Sequence, residues 1–479
     1  MEQLRGPVER LGYEMLHAGI HYIDQELESP NQNFVFGTFA TASAAGLIYV
    51  GSGGKASHRL ARILHFDKLF ENRCTPELIT IAFRQAVSAL TKRPDRHFPM
   101  QDGKLSTAFQ LVLAHRVFFR KGVQVTSEFF NKAAAFNLDV GEIEGLSDGQ
   151  DMETLRREIN AWVAKNTHGQ IAEALPALAL EQQQDALTNM FLISVTSLRG
   201  RWQEPFPPDC LHSDTFHNLD GTTVPVTFIS CRSVHLPYYE DAYVRYVEVP
   251  YAENEASLAL CMPLEPTKVS MATMLKRIKY GDLTKIGNQK RLRKVDLKVP
   301  VFRVEHVLNL KEFFERIGVE SQQDDDLSRM VQAPLHSFRL TGAYHKCTFE
   351  IDEKGSSADF FDKEDSAAGT GARGRSHSVS SVAPVQRRLK STLSDPVTFH
   401  AQYPFIFAVR HNPTGMLLCC GRVVDLKPAA DAQRPEDDAG FARTDAQPAP
   451  HDPRGFLQRA KDFLEKERGL IGRKRTETL

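Results

Sequence analysis

Apolar positions at helical spacing open the chain: Leu11, Met15, Ala18 and Tyr22 predict a helix over residues 7–27. Residues 34–50 (FVFGTFATASAAGLIYV) read as a strand followed by a buried helix, and helical patterns continue to about residue 92. Leu105 to Phe119 is a long run of buried-strand type, and Leu187 to Leu198 is a second. Between them, Glu158 to Leu175 predicts an amphipathic helix that stops before Pro176. Several strands follow from Thr215 to Pro263, with turn signals at Asp220-Gly221 and around Glu253-Asn254. Val295 to Glu305 alternates, and Leu308 to Ile317 is helical again. Helices come mostly first and strands mostly later, which predicts an α+β fold.

Two stretches break this pattern. Asp362 to Asp395 holds almost no large apolar residues, so it predicts a flexible segment. Pro428 to Pro453 is rich in Ala, Asp, Pro and Gln and reads as a disordered linker. Beyond it, Phe456, Leu457, Ala460, Phe463 and Leu464 share one helical face, either docked on the body or a partner or simply solvated. The expected division is an ordered body over residues 1–427 and a linker with an amphipathic tail over 428–479.

Composition narrows the functional classes. The 479 residues are 42% hydrophobic and 25% charged, ordinary for a soluble protein. A net charge of −1 offers no whole-molecule case for binding nucleic acid or an acidic membrane surface. No apolar run approaches the roughly 20 residues that span a bilayer. The start, MEQLRGPVERLGYEMLHAGI, has no central apolar block and does not read as a secretory leader. The seven cysteines (Cys74, Cys210, Cys231, Cys261, Cys347, Cys419 and Cys420) show no CxxC spacing, so no zinc site is expected. There is no Asn-X-Ser/Thr sequon with X other than Pro. Together these favour a reducing, cytoplasmic home. An extracellular chain stripped of its leader is the alternative.

Five local motifs occur in one order. Ile159-Asn160-Ala161-Trp162-Val163 precedes Thr167-His168-Gly169-Gln170-Ile171; Leu198-Arg199-Gly200-Arg201-Trp202 precedes Pro205-Phe206; Val249-Pro250-Tyr251 precedes Met262-Pro263. Tyr344 to Gly355 reads YHKCTFEIDEKG, and Phe399 to Asp425 contains the Tyr403-Pro404-Phe405 strand start. These resemble, in family order, the INxWVxxxTxGxI, FKGxWxxPF, ElPY…LP and HKaxxEvxEeG elements of serpins and the strand after their reactive-centre loop. The resemblance spans about residues 7–427. It implies the serpin fold, helices around three mostly antiparallel sheets, with 356–395 as an extended reactive-centre loop.

The resemblance also implies a mode of action without an active site of its own, hence no enzyme, cofactor or metal. A protease attacks the exposed loop, and the cut loop inserts as a new strand in the central sheet, dragging the acyl-enzyme with it. Glu353, Gly355, Ser356, Ala358, Phe360 and Asp362 then form the hinge. Asn33, Ser194, Trp202 and His345 mark the region that opens the sheet, with Trp202 and His345 structural rather than catalytic. The bait is expected at Arg388, Lys390 or Ser391, 33 to 36 residues beyond Gly355, or nearer the hinge at Arg373 or Arg375. Basic residues there suit trypsin-like enzymes.

Three departures bear on function. An inserted strand uses about 15 residues, roughly 50 Å at 3.3 Å each, so a bait at RLKS leaves a slack tether. Alternate residues Ser356, Ala358, Phe360 and Asp362 would face the core. A Phe in a place built for Ala overpacks by about 1–3 kcal/mol, and a buried unpaired Asp costs several kcal/mol or takes a proton. Gly37 to Thr41 and Ser194 replace the family's usual residues, so the partners of His345 are expected to be missing or moved. Two readings stay open: a monomeric inhibitor of trypsin-like serine proteases, or a non-inhibitory member whose loop or tail binds another protein.

Overall fold

The computed structural model describes residues 2–25, 31–91, 97–99, 105–107, 109–120, 122–143, 152–175, 190–279, 282–316, 327–332, 340–357 and 395–428. The expected flexible segment, the linker and the tail, apart from Asp395 and Pro428 at their edges, therefore lie outside the described residues. Nine α-helices are described: α1 (Glu2–Gln25), α2 (Thr38–Gly51), α3 (Gly54–Ile63), α4 (Pro76–Thr91), α5 (Ser127–Ala133), α6 (Met152–Asn166), α7 (Lys268–Lys279), α8 (Asp282–Gln289) and α9 (Leu310–Arg316). The strands begin with β1 (Phe34–Phe36), the small pair β2 (His97–Pro99) and β3 (Leu105–Thr107), then β4 (Phe109–Arg120), β5 (Leu138–Ile143) and β6 (Met190–Arg201). β7 (Leu211–His217), β8 (Thr223–Glu240), β9 (Val244–Pro250) and β10 (Ala256–Pro263) follow. The remainder are β11 (Arg291–Pro300), β12 (Phe302–Asn309), β13 (Leu340–Ile351), β14 (Gly355–Ser356), β15 (Val397–His400), β16 (Phe405–His411) and β17 (Met416–Val423). This is the expected α+β arrangement.

One large sheet runs β1-β17-β16-β10-β9-β8-β11-β15, with β7 beside β8. The central sheet runs β12-β13-β6-β4-β5, with β14 also against β6. Its long inner strands read as unbroken apolar runs because both faces are covered. Phe109, Leu111, Leu113, Val117 and Phe119 of β4 face the main core. Ala114 and Phe118 face a second core beneath α6, with Leu155, Ile159 and Val163.

Three local expectations change. The helix predicted to Leu175 ends at Asn166, because His168 turns left-handed (φ 53°). The Gly169 N–H then reaches the Ala164 carbonyl (2.8 Å) and the His168 N–H the Lys165 carbonyl (3.4 Å), a Schellman stop. Residues 170–175 instead run on past the helix end, with Gln170, Ile171, Ala174 and Leu175 buried. The alternating run from Val295 divides at Val301 into β11 and β12, which belong to different sheets. Finally, Cys210 and Cys231 form a disulfide across the start of β7 and the middle of β8, a pairing the spacing did not suggest, while the other five cysteines are free.

Arg422 of β17 is 1% exposed. Its guanidinium meets both carboxylate oxygens of Asp24 at the end of α1 (2.6 and 3.1 Å) and the Gln32 carbonyl (3.2 Å). Removing one partner of a buried pair leaves the other uncompensated. Arg422→Ala is expected to lower unfolding stability by about 3 kcal/mol, read as a shift in the urea midpoint.

Candidate functional site: the fork of the central sheet

Strands β6 and β13 run parallel and pair from Leu340↔Met190 to Thr348↔Ser197. The pairing stops there, although β6 continues to Arg201 and β13 to Ile351. The chain turns back at Asp352, and β14 enters the mouth of this fork antiparallel to β6, with Gly355↔Arg201 and Ser356↔Gly200. Asp352 builds the turn. Its carboxylate accepts the N–H groups of Lys354 (2.8 Å) and Gly355 (2.9 Å), and its own N–H donates to the Gly355 carbonyl (2.9 Å). A Cβ on Gly355 would lie 1.8 Å from the Gly200 carbonyl oxygen, at φ +156°. Only glycine fits that approach.

Trp202 anchors the turn from below. Its indole N–H donates to the Asp352 carbonyl (2.8 Å), and its backbone N–H donates to the Lys354 carbonyl (3.0 Å). The Phe206 N–H holds the Glu353 carbonyl (3.0 Å). The indole stacks on Tyr251, with centroids 4.7 Å apart and planes 21° off parallel. The Tyr251 hydroxyl lies 2.6 Å from the Ser356 hydroxyl, and Ser356 is fully buried. Burial pushes the Tyr251 phenol well above its usual range, so it stays neutral.

Lower in the same sheet lies a polar row. His345 of β13 is opposite Ser194 of β6, and Ser194 is opposite His115 of β4. The His345 Nε2 accepts the Gly37 N–H (2.8 Å), which places its hydrogen on Nδ1, donating to the Ser194 hydroxyl (2.8 Å). The partners of His345 are thus moved rather than missing. A Cβ at Gly37 would come within 2.7 Å of the Thr196 hydroxyl and 3.1 Å of His345 Nε2, so glycine is what lets α2 begin this close to the sheet. Asn33 does not join this row through its amide. Its amide oxygen instead accepts the N–H groups of Val424 (2.8 Å) and Asp425 (3.0 Å) at the chain's return.

His115, Gln170 and Ser357 also belong to this part of the sheet, and the sequence reading gave them no role. A histidine inside the apolar run Leu105–Phe119 was the available signal for His115. Both of its ring nitrogens are buried without a hydrogen-bond partner, as is the Thr196 hydroxyl. Ala358, Phe360, Asp362, Arg373, Arg375, Arg388, Lys390 and Ser391 all lie outside the described residues. No group of three or more His, Cys, Asp or Glu among the described residues could hold a metal. No described helix is long and apolar enough to cross a membrane.

Burial alone drives the His115 imidazole down to about 3. Burial, then the neighbouring histidines, brings His345 to about 3, and burial with Lys346 and Arg422 brings His306 to about 4. The unfolded chain binds these protons near pH 6.5 and the native chain does not. Stability is therefore complete above that pH and is lost as pH falls, at up to about 1.4 kcal/mol per pH unit for each histidine. Urea midpoints measured between pH 7 and pH 5 are expected to fall. His115→Phe should raise stability and remove one histidine's share of the slope.

Comparison with known proteins agrees with this geometry. The chain matches the family model "Serpin (serine protease inhibitor)" over residues 20–426. It is 26% identical to human Serpin B8 over 401 residues, which cover 82% of this chain and 93% of that relative. It is likewise 26% identical to bovine plasminogen activator inhibitor 1, covering 83% and 88%. The native, stressed structure of an Arabidopsis serpin superposes with a TM-score of 0.69 at 20% identity, covering 88% of this chain and 98% of that one. With the family model spanning most of its length, the chain belongs to the serpin family.

Proposed function

We propose that this chain inhibits trypsin-like serine proteases by offering its loop for cleavage and taking the cut loop into the fork between β6 and β13. The observation that carries the reading is β14. Gly355 and Ser356 already pair with β6 at the fork mouth, in the antiparallel sense a new central strand needs. Above Thr348, β6 and β13 are not paired to each other, so a strand entering there first meets open edges. Insertion adds backbone hydrogen bonds and buries apolar side chains, which is the free-energy source for trapping. The inhibitor names of relatives such as mouse leukocyte elastase inhibitor A, 25% identical over 405 residues, support the same class. The partner is a serine protease, met by a monomer of the body at residues 1–427.

A second reading is favoured by the register itself. Continuing Ser356↔Gly200 down the strand would set Ala358 opposite Leu198, Phe360 opposite Thr196 and Asp362 opposite Ser194. Ser194 lies in the row with His345 and His115, all at most 1% exposed. An Asp arriving there between neutral imidazoles must take a proton or draw one onto a histidine. That slows insertion, and a slow trap becomes a substrate, leaving the loop as a binding surface.

The two readings separate on an SDS gel. Incubation with trypsin is expected to give some boil-resistant complex of summed mass, beside cleaved chain. Asp362→Ala should raise the ratio of complex to cleaved product by about tenfold or more, because it removes a burial cost of several kcal/mol. Loss of complex in Arg388→Ala and Lys390→Ala, or instead in Arg373→Ala and Arg375→Ala, locates the bait. Absence of complex from both the wild-type and Asp362→Ala chains, across trypsin-like enzymes, contradicts inhibition and leaves the binding role.

A further inference from the structure

Directly after the Schellman stop of α6, Gln170 reaches the mouth of the fork and is 6% exposed. Its side-chain amide is engaged on both sides. Oε1 accepts from the Ser197 hydroxyl (2.8 Å) and from Nε of Arg199 (3.1 Å), both on β6. Nε2 donates to the Ser357 hydroxyl (2.8 Å), and Ser357 donates onward to Oε1 of Glu350 on β13 (2.8 Å). The other Glu350 oxygen accepts from Arg303 (3.0 Å).

The donor order has one solution. An arginine nitrogen only donates, so the Gln170 atom beside Arg199 is the oxygen. Its NH2 then faces Ser357, whose hydroxyl must spend its hydrogen on the Glu350 carboxylate. Arg199 is fully buried and also donates to the Thr167 carbonyl (3.2 Å), which ties the segment after α6 to β6. One residue past β14, Ser357 is left-handed (φ 45°). That conformation costs a serine of order 1 kcal/mol, and the two hydrogen bonds to its hydroxyl offset the strain.

We propose that Gln170 is a positioning residue that latches the loop hinge in the fork, holding Ser357 kinked after Gly355 and Ser356 have entered. The latch joins β6, β13, the segment after α6 and the hinge through one amide. It fixes how far the hinge is committed before any protease arrives. The proposal deepens the loop-insertion reading, but its contacts belong to the uncut chain and stand whether or not a protease is trapped.

Gln170→Glu isolates the hinge half of the contact. A carboxylate still accepts from Ser197 and Arg199, yet it cannot donate to Ser357 and sets a second negative charge opposite Glu350. Ser357→Ala removes the same bonds from the hinge side. Amide exchange of the full, uncut chain, read on peptides covering Ser356 and Ser357, is expected to run roughly tenfold faster in both variants, as for loss of a hydrogen bond to a buried group. Exchange across Met190–Thr196 should be unchanged. In a Trp162→Phe background Trp202 is the one tryptophan left, and its emission should shift with the hinge. Wild-type hinge exchange in Gln170→Glu, with the sheet intact, overturns the latch. So does faster exchange spread equally over β6 in Ser357→Ala. Neither readout depends on trapping a target protease, so failure of the inhibitory reading does not imitate either outcome.

Discussion

The whole arrangement depends on two parallel strands that stay joined only part of the way. β6 and β13 share a ladder up to Thr348↔Ser197 and then separate. At the end of β13 the chain could leave the sheet or turn back between the two strands. It turns back. Asp352 closes that turn with its own carboxylate, Gly355 makes the one approach to Gly200 that tolerates no Cβ, and Ser356 becomes the first rung of a further strand. The core on both faces fixes β6 along its length, so the fork is defined by rigid walls rather than by the hinge.

Two clusters of polar side chains in this sheet lie along the fork. At the mouth, Trp202, Tyr251, Gln170, Ser197, Arg199 and Glu350 satisfy one another and the hinge. Lower down, His345 bridges α2 to β6 through Gly37 and Ser194. Satisfied buried networks rigidify what they join, whereas unpaired buried polar atoms cost free energy. The mouth is of the first kind except at the Thr348 hydroxyl, which is buried without a partner. The lower row is mixed, because His345 is bonded while His115 and the Thr196 hydroxyl are not.

Much of the fold was legible because its signals are local. Buried strands show as apolar runs, and Gly355, Trp202 and His345 stand in motifs whose spacing survives at low identity. The stop of α6 was not legible, since Leu175 and Ala174 keep a helical pattern while packing as an irregular segment against α6. Gln170 was visible within a motif but carried no role, because its three partners come from β6 and from a hinge 187 residues away. The Cys210–Cys231 bond was hidden because hairpin geometry, not spacing, brings the sulfurs together. His115 could be noticed as a polar break in an apolar strand, but its row with Ser194 and His345 follows only from strand register.

The central claim is that the fork accepts the loop as a new strand. Thermal melting of the full chain, before and after cutting within the loop by a protease that does not stay bound, tests it most directly. If the strand enters, the cleaved protein gains a ladder on both sides and buries new apolar surface, and its melting temperature rises clearly, each kcal/mol gained being worth about 2–4 °C in a domain of 150–250 residues and less in a larger body. An unchanged melting temperature after complete cleavage would contradict the account, because the fork would then be a fixed feature of the sheet and not a place for the loop.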